Sequence, residues 1–253
     1  MAIYLRAKEG EYAKRVLVAG DPGRITRLAE LLDGARRITD NRGLVGFTGS
    51  YKDKPVSLQA VGMGCPSMAM IGAELFDYGV EQMIRIGTCS AFAAGVGNGD
   101  VIVVTGTAAS DGTTASLAAG SAVAAVPDFD LTAALVEAAR SRRARFHVGP
   151  VVTVDVEPHL SATSTAPWRA QGLLAVEMEA SAMFNLALRR RGSGHPARAG
   201  CVLTVSDGLD GHPDGPQRYL DDVALAEATD AMHLVALDAV TALPLEAELE
   251  PLA

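Results

Sequence analysis

The chain has 253 residues, of which 49% are hydrophobic and 21% are charged, a composition that supports a folded core and excludes a disordered chain. Its formal net charge of −8 excludes a broad nucleic-acid-binding surface but is compatible with a local basic pocket for an anion. The three cysteines, Cys65, Cys89 and Cys201, have no paired spacing and are expected to be reduced thiols, mostly buried.

Apolar runs of strand length alternate with longer amphipathic segments along the chain. The expected elements are, in order, VLVAG, PGRITRLAELL, VSLQAVGMG, PSMAMIGAELFDYG, MIRIGT, GDVIVVTGT, DLTAALVEAARS, HVGPVVTVD, GLLAVEME, SAMFNLALRR, AGCVLTVSDG and a long final helix from about Gln217. This alternation predicts an α/β fold with helices on both faces of a sheet. Because no linker or repeat divides the chain, we expect one domain over residues 1–253, with a frayed acidic tail at 244–253.

Two segments of the chain are candidates for membrane targeting or membrane spanning, and neither qualifies. The first fifteen residues are charged throughout and lack the apolar core of a signal peptide. The Ala-rich segment Ala115–Val126 is too short, and too often interrupted by Gly and Ser, to cross a bilayer. We therefore expect a cytoplasmic protein with no membrane partner.

Two glycine-rich turns follow expected strands. In VLVAGDPGR, Gly20 closes a strand and Arg24 lies just beyond, an arrangement that can bind an anion or can be an ordinary turn with a solvated arginine. In AVGMGCPSM, Gly62 and Gly64 imitate a dinucleotide-binding fingerprint, but Ser67 stands where its third glycine belongs. A tight turn with close backbone packing is the better interpretation of the second motif.

Two other strands carry charged residues. Arg85 lies inside the apolar strand of MIRIGTCSA, where its burial requires either an anionic ligand or an acidic neighbour in the fold. Asp207 ends the strand of VLTVSDGLDGH, where it is either a turn or helix-cap residue or a partly desolvated acid that can hold a proton.

The stretch GLLAVEMEASAMF places Glu177 and Glu179 within a run that otherwise resembles core. Such carboxylates either begin a helix, where an acidic residue suits the helix dipole, or form a sugar-binding or acid–base site. The five histidines show no metal-ligand spacing, and no His partner can be assigned to Cys89 as a nucleophile.

In this order, the motifs GDPGR, NRGLVGFTGSYKDKPV, GMGCPSM, RIGTCSA, PDFDL, VEMEAS and TVSDG resemble those of the hexameric, bacterial-type purine nucleoside phosphorylases. The wider nucleoside phosphorylase family also contains uridine phosphorylase and methylthioadenosine phosphorylase. The resemblance extends from about Tyr4 to the final helix. It implies one domain with a central mixed, twisted β-sheet flanked by helices, and a reaction that splits a purine nucleoside with inorganic phosphate as co-substrate and without a metal or redox cofactor.

The resemblance also implies roles for individual residues. Phosphate contacts fall on Gly20, Arg24, Arg85 and Thr88, with Arg42 supplied by the neighbouring subunit of a trimer of dimers. Ribose contacts fall on Met178, Glu179 and the subunit-donated position Tyr4, and base contacts on Glu157, Glu177 and Ser206. Asp207 takes the place of the general acid that protonates N7 of the base, and Arg218 that of an assisting arginine.

Two positions depart from the family pattern. Tyr4 stands where the family usually has a histidine for the 5′-hydroxyl, and Glu157 stands where a base-stacking aromatic is usual. A carboxylate accepts hydrogen bonds rather than stacking, so we hypothesise a preference for guanine or hypoxanthine. The natural nucleoside and the tolerance of a 5′-methylthio group stay open.

Three alternatives compete with this interpretation. A uridine phosphorylase reads uracil through a Gln-x-Arg pair, whereas here Arg169 precedes Gln171. A nucleosidase, which uses water, does not need Arg24, Arg42 and Arg85 together. A nucleoside-binding protein without activity does not need an acid such as Asp207.

Overall fold

A computed structural model of the protein describes residues 3–161, 163–209, 212, 215–216, 218–245 and 248. Within them the strands are β1 (Arg15–Ala19), β2 (Asp33–Thr39), β3 (Gly46–Tyr51), β4 (Lys54–Ala60), β5 (Gln82–Ala91), β6 (Val101–Ser110), β7 (Phe146–Val154), β8 (Ala175–Glu177) and β9 (Arg198–Gly208). The helices are α1 (Pro22–Ala29), α2 (Cys65–Asp77), α3 (Gly112–Leu117), α4 (Phe129–Ser141), α5 (Pro158–Ser161), α6 (Ala166–Ala170), α7 (Ala180–Gly192) and α8 (Asp222–Ala242), with a 3-10 turn at Asn41–Gly43.

The nine strands form one mixed sheet in the order β2-β3-β4-β1-β5-β8-β7-β6-β9. An additional parallel pairing joins β9 to β5, so that β5, β8, β7, β6 and β9 form a closed ring of paired strands. The chain thus has the predicted α/β architecture with a central mixed sheet and flanking helices. The edge hairpin of β2 and β3 was not among the expected elements, because β2 is mostly exposed and carries little apolar signal.

Helices cover both faces of the sheet and bury two large apolar clusters. One cluster packs α2 and α7 against the sheet through residues such as Met68, Leu75 and Phe184. The other packs α1, α4 and α8 through residues such as Ile25 and Leu135. Each fully buried side chain of this size contributes about 1.5–3 kcal/mol to folding stability relative to its exposed state. The apolar faces therefore determine the positions of the helices on the sheet. Among the described residues, no helix is both long and apolar enough to cross a membrane.

Aspartate side chains fix the starts of several helices. The carboxylates accept backbone N–H bonds of the first helical turn and so satisfy donors that would otherwise lack a partner. The capping residues are Asp21 for α1, Asp111 for α3, Asp128 for α4 and Asp221 for α8. The final helix therefore begins at Asp222, later than the expected start near Gln217, a residue that lies outside the described part of the chain.

The described part of the acidic tail is held against the core. The Pro244 carbonyl accepts a hydrogen bond of 2.9 Å from the Gln82 side chain, and Leu245 is buried. The guanidinium of Arg15, which is almost fully buried, pairs with Glu248 at 2.7 Å. A buried arginine needs an anionic partner, and Arg15 finds one in Glu248. Residues 246, 247 and 249–253 lie outside the described part of the chain, so the expected fraying of the tail stays a prediction.

Strand direction brings the predicted motifs to one edge of the sheet. Strand β1 runs parallel to both β4 and β5, and β5 runs parallel to β9. The segments that follow these four strands, or end them, contain Gly20, Gly62, Thr88 and Asp207. In open α/β sheets ligands bind at the carboxyl ends of parallel strands, so this edge is the candidate site.

Candidate active site

The two glycine-rich turns meet at this edge. A Cβ placed on Gly20 would lie 3.1 Å from the carbonyl oxygen of Gly62, so the close approach leaves little room for a side chain. Gly64 has a φ of +86°, which a side chain would strain, and its N–H donates to Oε1 of Glu179 at 2.6 Å. The second motif is thus the tight turn that its sequence favoured, and it holds a carboxylate of the site.

Arg85 lies within β5 and is only 4% exposed. Its Nε donates to Glu177 at 3.0 Å, and its Nη2 pairs with Glu179. Burial by itself lowers the pKa of this guanidinium, but the charges of Glu179 and Glu177 outweigh burial and raise it. Within the described residues Nη1 makes no hydrogen bond, so one face of the guanidinium stays available to an anion.

Glycine at position 87 makes room for this guanidinium. A Cβ on Gly87 would lie 2.7 Å from Cζ of Arg85, closer than real Cβ contacts come. Residues two apart on a strand share a face, so the arginine folds back over its own strand.

Arg24 is the second buried arginine of the site. It is 8% exposed, and its Nη1 donates to the Ile86 carbonyl at 3.4 Å. Within the described part of the chain it has no salt bridge to a carboxylate. Burial lowers its pKa, the negative charge of Asp21 partly offsets this, and the positive charge of Arg85 lowers it further. The helix cap Asp21 also holds its backbone N–H, which keeps Arg24 at the first turn of α1.

Glu177 is wholly enclosed by protein groups. Its side chain has no exposed surface; Oε1 accepts from the Thr153 hydroxyl, and Oε2 accepts from Arg85 and from the N–H groups of Glu179 and Ala180. Those two amides begin α7, so Glu177 opens the next helix, which was one of its two sequence interpretations. The other interpretation, contact with the base or with the ribose edge, does not fit a carboxylate without exposed surface.

Glu179 and Met178 lie next to Glu177 but at the edge of the site. Burial raises the pKa of Glu179, and the second carboxylate, Glu177, adds to this, since one Arg85 guanidinium faces two acidic groups. Met178 is half-buried and packs with Trp168 against an apolar cluster that comprises Phe92, Val152, Val154, Leu173, Val176 and Leu209. The pair therefore presents an acceptor beside an apolar surface, as a sugar requires.

Asp207 lies at the end of β9 and is half-buried. Its Oδ1 accepts from the Ser90 hydroxyl at 2.9 Å and from the Ser206 hydroxyl at 2.8 Å. Asp207 is therefore a strand residue, and the helix-cap alternative does not describe it. Ser206 is 3% exposed and its hydroxyl faces Asp207 and the Cys89 carbonyl, which does not favour the predicted base contact.

Glu157 follows β7 and lies near Asp207. Its side chain is 31% exposed. Burial raises its pKa, and the negative charge of Asp207 raises it further. The two carboxyl groups are therefore close enough to interact electrostatically. Thr88, on β5, is half-buried at the same edge.

Tyr4 and Arg42, the two predicted subunit-donated residues, lie together on the surface. The Arg42 guanidinium is 5.7 Å from the centre of the Tyr4 ring, and the Asn41 side chain donates to the Tyr4 carbonyl at 2.5 Å. Their described contacts do not reach Arg85 or Glu179. Arg218 is exposed, and its described contact is its backbone carbonyl, which accepts from the Asn98 side chain at 2.7 Å.

One group among the described residues has the spacing of a metal site. Ligand atoms of Cys65, Asp111 and Asp155 lie within 4.8 Å of one another. Burial raises the pKa of the Cys65 thiol well above its ordinary value, so it is protonated at neutral pH. The carboxylate of Asp111 caps α3 and accepts the Ser181 hydroxyl, and Asp155 accepts the Gly112 N–H. The two carboxylates of this group therefore already accept hydrogen bonds within the fold.

Two buried arginines, Met178 beside the carboxylate of Glu179, and the hydroxyl-bound Asp207 lie at or next to one edge of the sheet. The profile of the phosphorylase superfamily matches residues 14–241. The chain belongs to the phosphorylase superfamily. Within this superfamily it is a nucleoside phosphorylase family member, as the ordered motifs predicted.

Relatives within the family cover most of the chain. It is 36% identical over 248 residues to the guanosine phosphorylase of Halorubrum lacusprofundi, and the aligned region covers 95% of this chain and 98% of that protein. It is 37% identical over 206 residues to the DeoD-type purine nucleoside phosphorylase of Shewanella amazonensis, and the aligned region covers 81% of this chain and 85% of that protein. A DeoD-type 2 purine nucleoside phosphorylase of Shewanella oneidensis is 36% identical over the same span.

Sequence reasoning missed three residues of this family member's site. Ser90, Thr153 and Gly87 contact Asp207, Glu177 and Arg85, respectively. The alternation of a strand gave one usable signal, because Ser90 follows Thr88 by two positions and therefore shares its face. No local sequence pattern indicated that Thr153 would contact Glu177.

Proposed function

We propose that the protein splits purine nucleosides with inorganic phosphate to give the free base and ribose or deoxyribose 1-phosphate. The observation that carries this proposal is Arg24, a buried guanidinium beside Arg85 that makes no salt bridge to a carboxylate of the described residues. A buried charge of this kind is costly unless an anion joins it, and phosphate matches the fork of an arginine. A nucleosidase, which uses water, has no need of that anion.

In the proposed complex, the phosphate lies against the turn at Gly20, with Arg24, Nη1 of Arg85 and the Thr88 hydroxyl as its partners. Arg42 is proposed to reach the phosphate of a neighbouring subunit in a hexamer, since it is exposed and lies beside Tyr4. The positive charge is thus concentrated at one point of an acidic chain. Phosphate is the co-substrate, and the proposal includes no resident cofactor.

The ribose is proposed to lie on Met178, with its 2′ and 3′ hydroxyls donating to Glu179. The carboxylate is held by the Gly64 N–H at 2.6 Å and by Arg85, which connects the ribose subsite to the phosphate subsite. Tyr4 of a neighbouring subunit is proposed to approach the 5′ end. With Tyr4 and Arg42 shared in this way, we expect an isolated subunit to be inactive.

The chemical step breaks the bond between C1′ and N9 while a phosphate oxygen bonds to C1′. The electron pair of the broken bond stays with the purine, and a proton moves from Asp207 to N7 to neutralise the developing charge. Phosphate and Glu179 stabilise the positive charge that develops on the sugar. Arg218 is proposed to assist this proton transfer. We place the reaction in the cytoplasm, where both substrates occur.

Glu157 is proposed to select guanine and hypoxanthine. Its ionised carboxylate can accept N–H donors on the edge of a 6-oxopurine, whereas adenine presents a ring acceptor at the corresponding N1 position. The relative from Halorubrum lacusprofundi, which covers 95% of the chain, is named a guanosine phosphorylase, and this supports the same choice.

Base release with and without phosphate tests the reaction type. We expect guanosine and inosine to be consumed only when phosphate is present, with sugar 1-phosphate formed in equal amount. Arg24→Gln should raise KM for phosphate about tenfold or more, because the anion loses a charged hydrogen-bond partner. Arg27→Gln is the matched control, since Arg27 lies on the same helix but is exposed and bonds to Thr229. Full base release without phosphate would refute the proposal in favour of a nucleosidase.

A substrate panel tests the selection of the base. Wild type should prefer guanosine and inosine to adenosine and uridine, and Glu157→Gln should reduce the ratio of guanosine to adenosine turnover. Unchanged ratios would refute the role of Glu157, and preferential use of uridine would point to a uridine phosphorylase. Asp207→Asn should abolish most turnover while guanosine still binds; unaltered turnover would exclude Asp207 as the acid.

A further inference from the structure

The site contains a hydroxyl, that of Ser90, for which the proposed reaction has so far no use. Ser90 is 8% exposed and its hydroxyl donates to Oδ1 of Asp207 at 2.9 Å. Each hydroxyl has one proton. The Ser206 hydroxyl has two acceptors within reach, the Cys89 carbonyl at 3.1 Å and Asp207 at 2.8 Å. Ser90 therefore gives Asp207 a donor that no other described acceptor shares.

An irregular strand register creates this contact. Along β5 and β9, Cys89 lies opposite Val205, but the next residue, Ser90, lies opposite Asp207. The extra residue on β9 is Ser206, so a bulge advances Asp207 by one position. Residues directly opposite in parallel strands share a face, and without the bulge Ser90 would face Ser206 instead. Bulges of this kind re-aim side chains next to active sites.

We propose that Ser90 is a positioning residue for the proton transfer to the base. It occupies Oδ1, so that the acid proton of Asp207 lies on Oδ2, which makes no hydrogen bond within the described residues. This inference rests on the proposed phosphorolysis and adds the residue that aims its acid.

The same bond favours the transition state over the bound substrate. Before transfer, Oδ1 is a neutral carbonyl oxygen of a carboxylic acid. After the proton moves from Oδ2 to N7, Asp207 is a carboxylate and the bond from Ser90 becomes charge-assisted, which makes it roughly twice as strong. Only an interaction that strengthens during the reaction raises kcat. The structure thus gives Ser90 both an orienting and an electrostatic effect on a single atom.

The test compares two nucleosides in wild type and Ser90→Ala. Guanosine needs a proton at N7, whereas 7-methylguanosine already carries a positive charge there and cannot accept one. We expect Ser90→Ala to lower kcat for guanosine about tenfold, the effect of one strengthened hydrogen bond, and to change kcat for 7-methylguanosine by less than about twofold. KM for phosphate should stay at the wild-type value, and the melting temperature should fall by only about 2–4 °C, as expected for the loss of one hydrogen bond.

Ser90→Thr supplies a second criterion that does not depend on how the methylated nucleoside binds. It keeps the hydroxyl on the strand, so guanosine turnover should return to near the wild-type rate. A Ser90→Ala enzyme as active as wild type, an equal loss on both nucleosides, or no rescue by threonine would overturn the assignment. If wild type itself releases base without phosphate, the proposed function fails instead, and this outcome is seen before any variant is compared.

Discussion

Replacing Glu177 with alanine would remove the acceptor at the centre of the buried charge cluster. The variant Glu177→Ala leaves Nε of Arg85 without its partner and frees two backbone N–H groups at the start of α7, those of Glu179 and Ala180. The Thr153 hydroxyl also loses its acceptor. All these groups are buried, so water replaces the lost carboxylate poorly.

The size of the effect follows from these contacts. Breaking a buried ion pair costs about 3–5 kcal/mol, and the lower end applies because Glu179 still pairs with Arg85. Each unpaired amide adds about 1 kcal/mol, so we expect a loss of about 5 kcal/mol in the free energy of unfolding. Glu177→Gln keeps one oxygen for Arg85 and both amides, but it loses the charge and places an NH2 group where Oε1 accepted the Thr153 hydroxyl. That hydroxyl can donate to Thr107 at 2.8 Å instead, so the variant should cost about 1 kcal/mol.

Thermal unfolding followed by circular dichroism at one protein concentration measures both variants. For a chain of this length 1 kcal/mol corresponds to roughly 2–4 °C, so Glu177→Ala should melt about 10–20 °C below wild type and Glu177→Gln about 2–4 °C below. Similar melting temperatures for the two variants, or an alanine variant as stable as wild type, would refute the view that Glu177 is a structural acceptor.

Three further variants test other features of the structure. Gly87→Ala should raise KM for phosphate about tenfold and cost about 1–3 kcal/mol, because its Cβ displaces the Arg85 guanidinium; Gly192→Ala, at an open helical position, is the control, and equal behaviour of the two would contradict this. Burial raises the pKa of Glu157, so the native state binds more protons than the unfolded state above pH 4.5 and loses stability as pH rises. Glu157→Gln should therefore melt above wild type at pH 7.5, with the difference vanishing towards pH 4, and a constant difference would contradict the shift. Burial lowers the pKa of His233 from 6.5 to about 3, so the unfolded state binds the extra proton and wild type loses stability as pH falls from 6.5 towards 3. His233→Leu should flatten this part of the stability profile measured by urea unfolding, and an unchanged slope would contradict it.

Local sequence was sufficient for most elements of the fold. The apolar runs predicted β1, β4, β5, β6, β7, β9 and the larger helices, because a buried strand or an amphipathic helix leaves its period in the sequence. The edge hairpin of β2 and β3 left no such period, since its first strand is largely exposed. The start of α8 was placed too early because the capping bond of Asp221 depends on the backbone angles of the folded chain.

The candidate site was predictable as a set of residues but not as a set of contacts. The resemblance named Arg24, Arg85, Glu179 and Asp207, and the fold brings them to one sheet edge. It also assigned Glu177 to the base, whereas the structure encloses that carboxylate completely. Two sequence-level interpretations of Glu177 existed, and only its surroundings distinguish them.

The amino-acid sequence by itself determined the α/β class, the two glycine turns, the family and the residue types available for phosphate, sugar and proton. Only the tertiary structure decided which of these groups are partners. Arg85 and Glu177 are separated by 92 positions, and Ser90 and Asp207 by 117, so no local pattern relates them. Strand pairing brings these residues together, and a single extra residue in β9 changes which side chain faces Ser90. The physical reason is that hydrogen bonds and charges act over a few ångströms in space, whereas sequence periodicity reports only on neighbours along the chain.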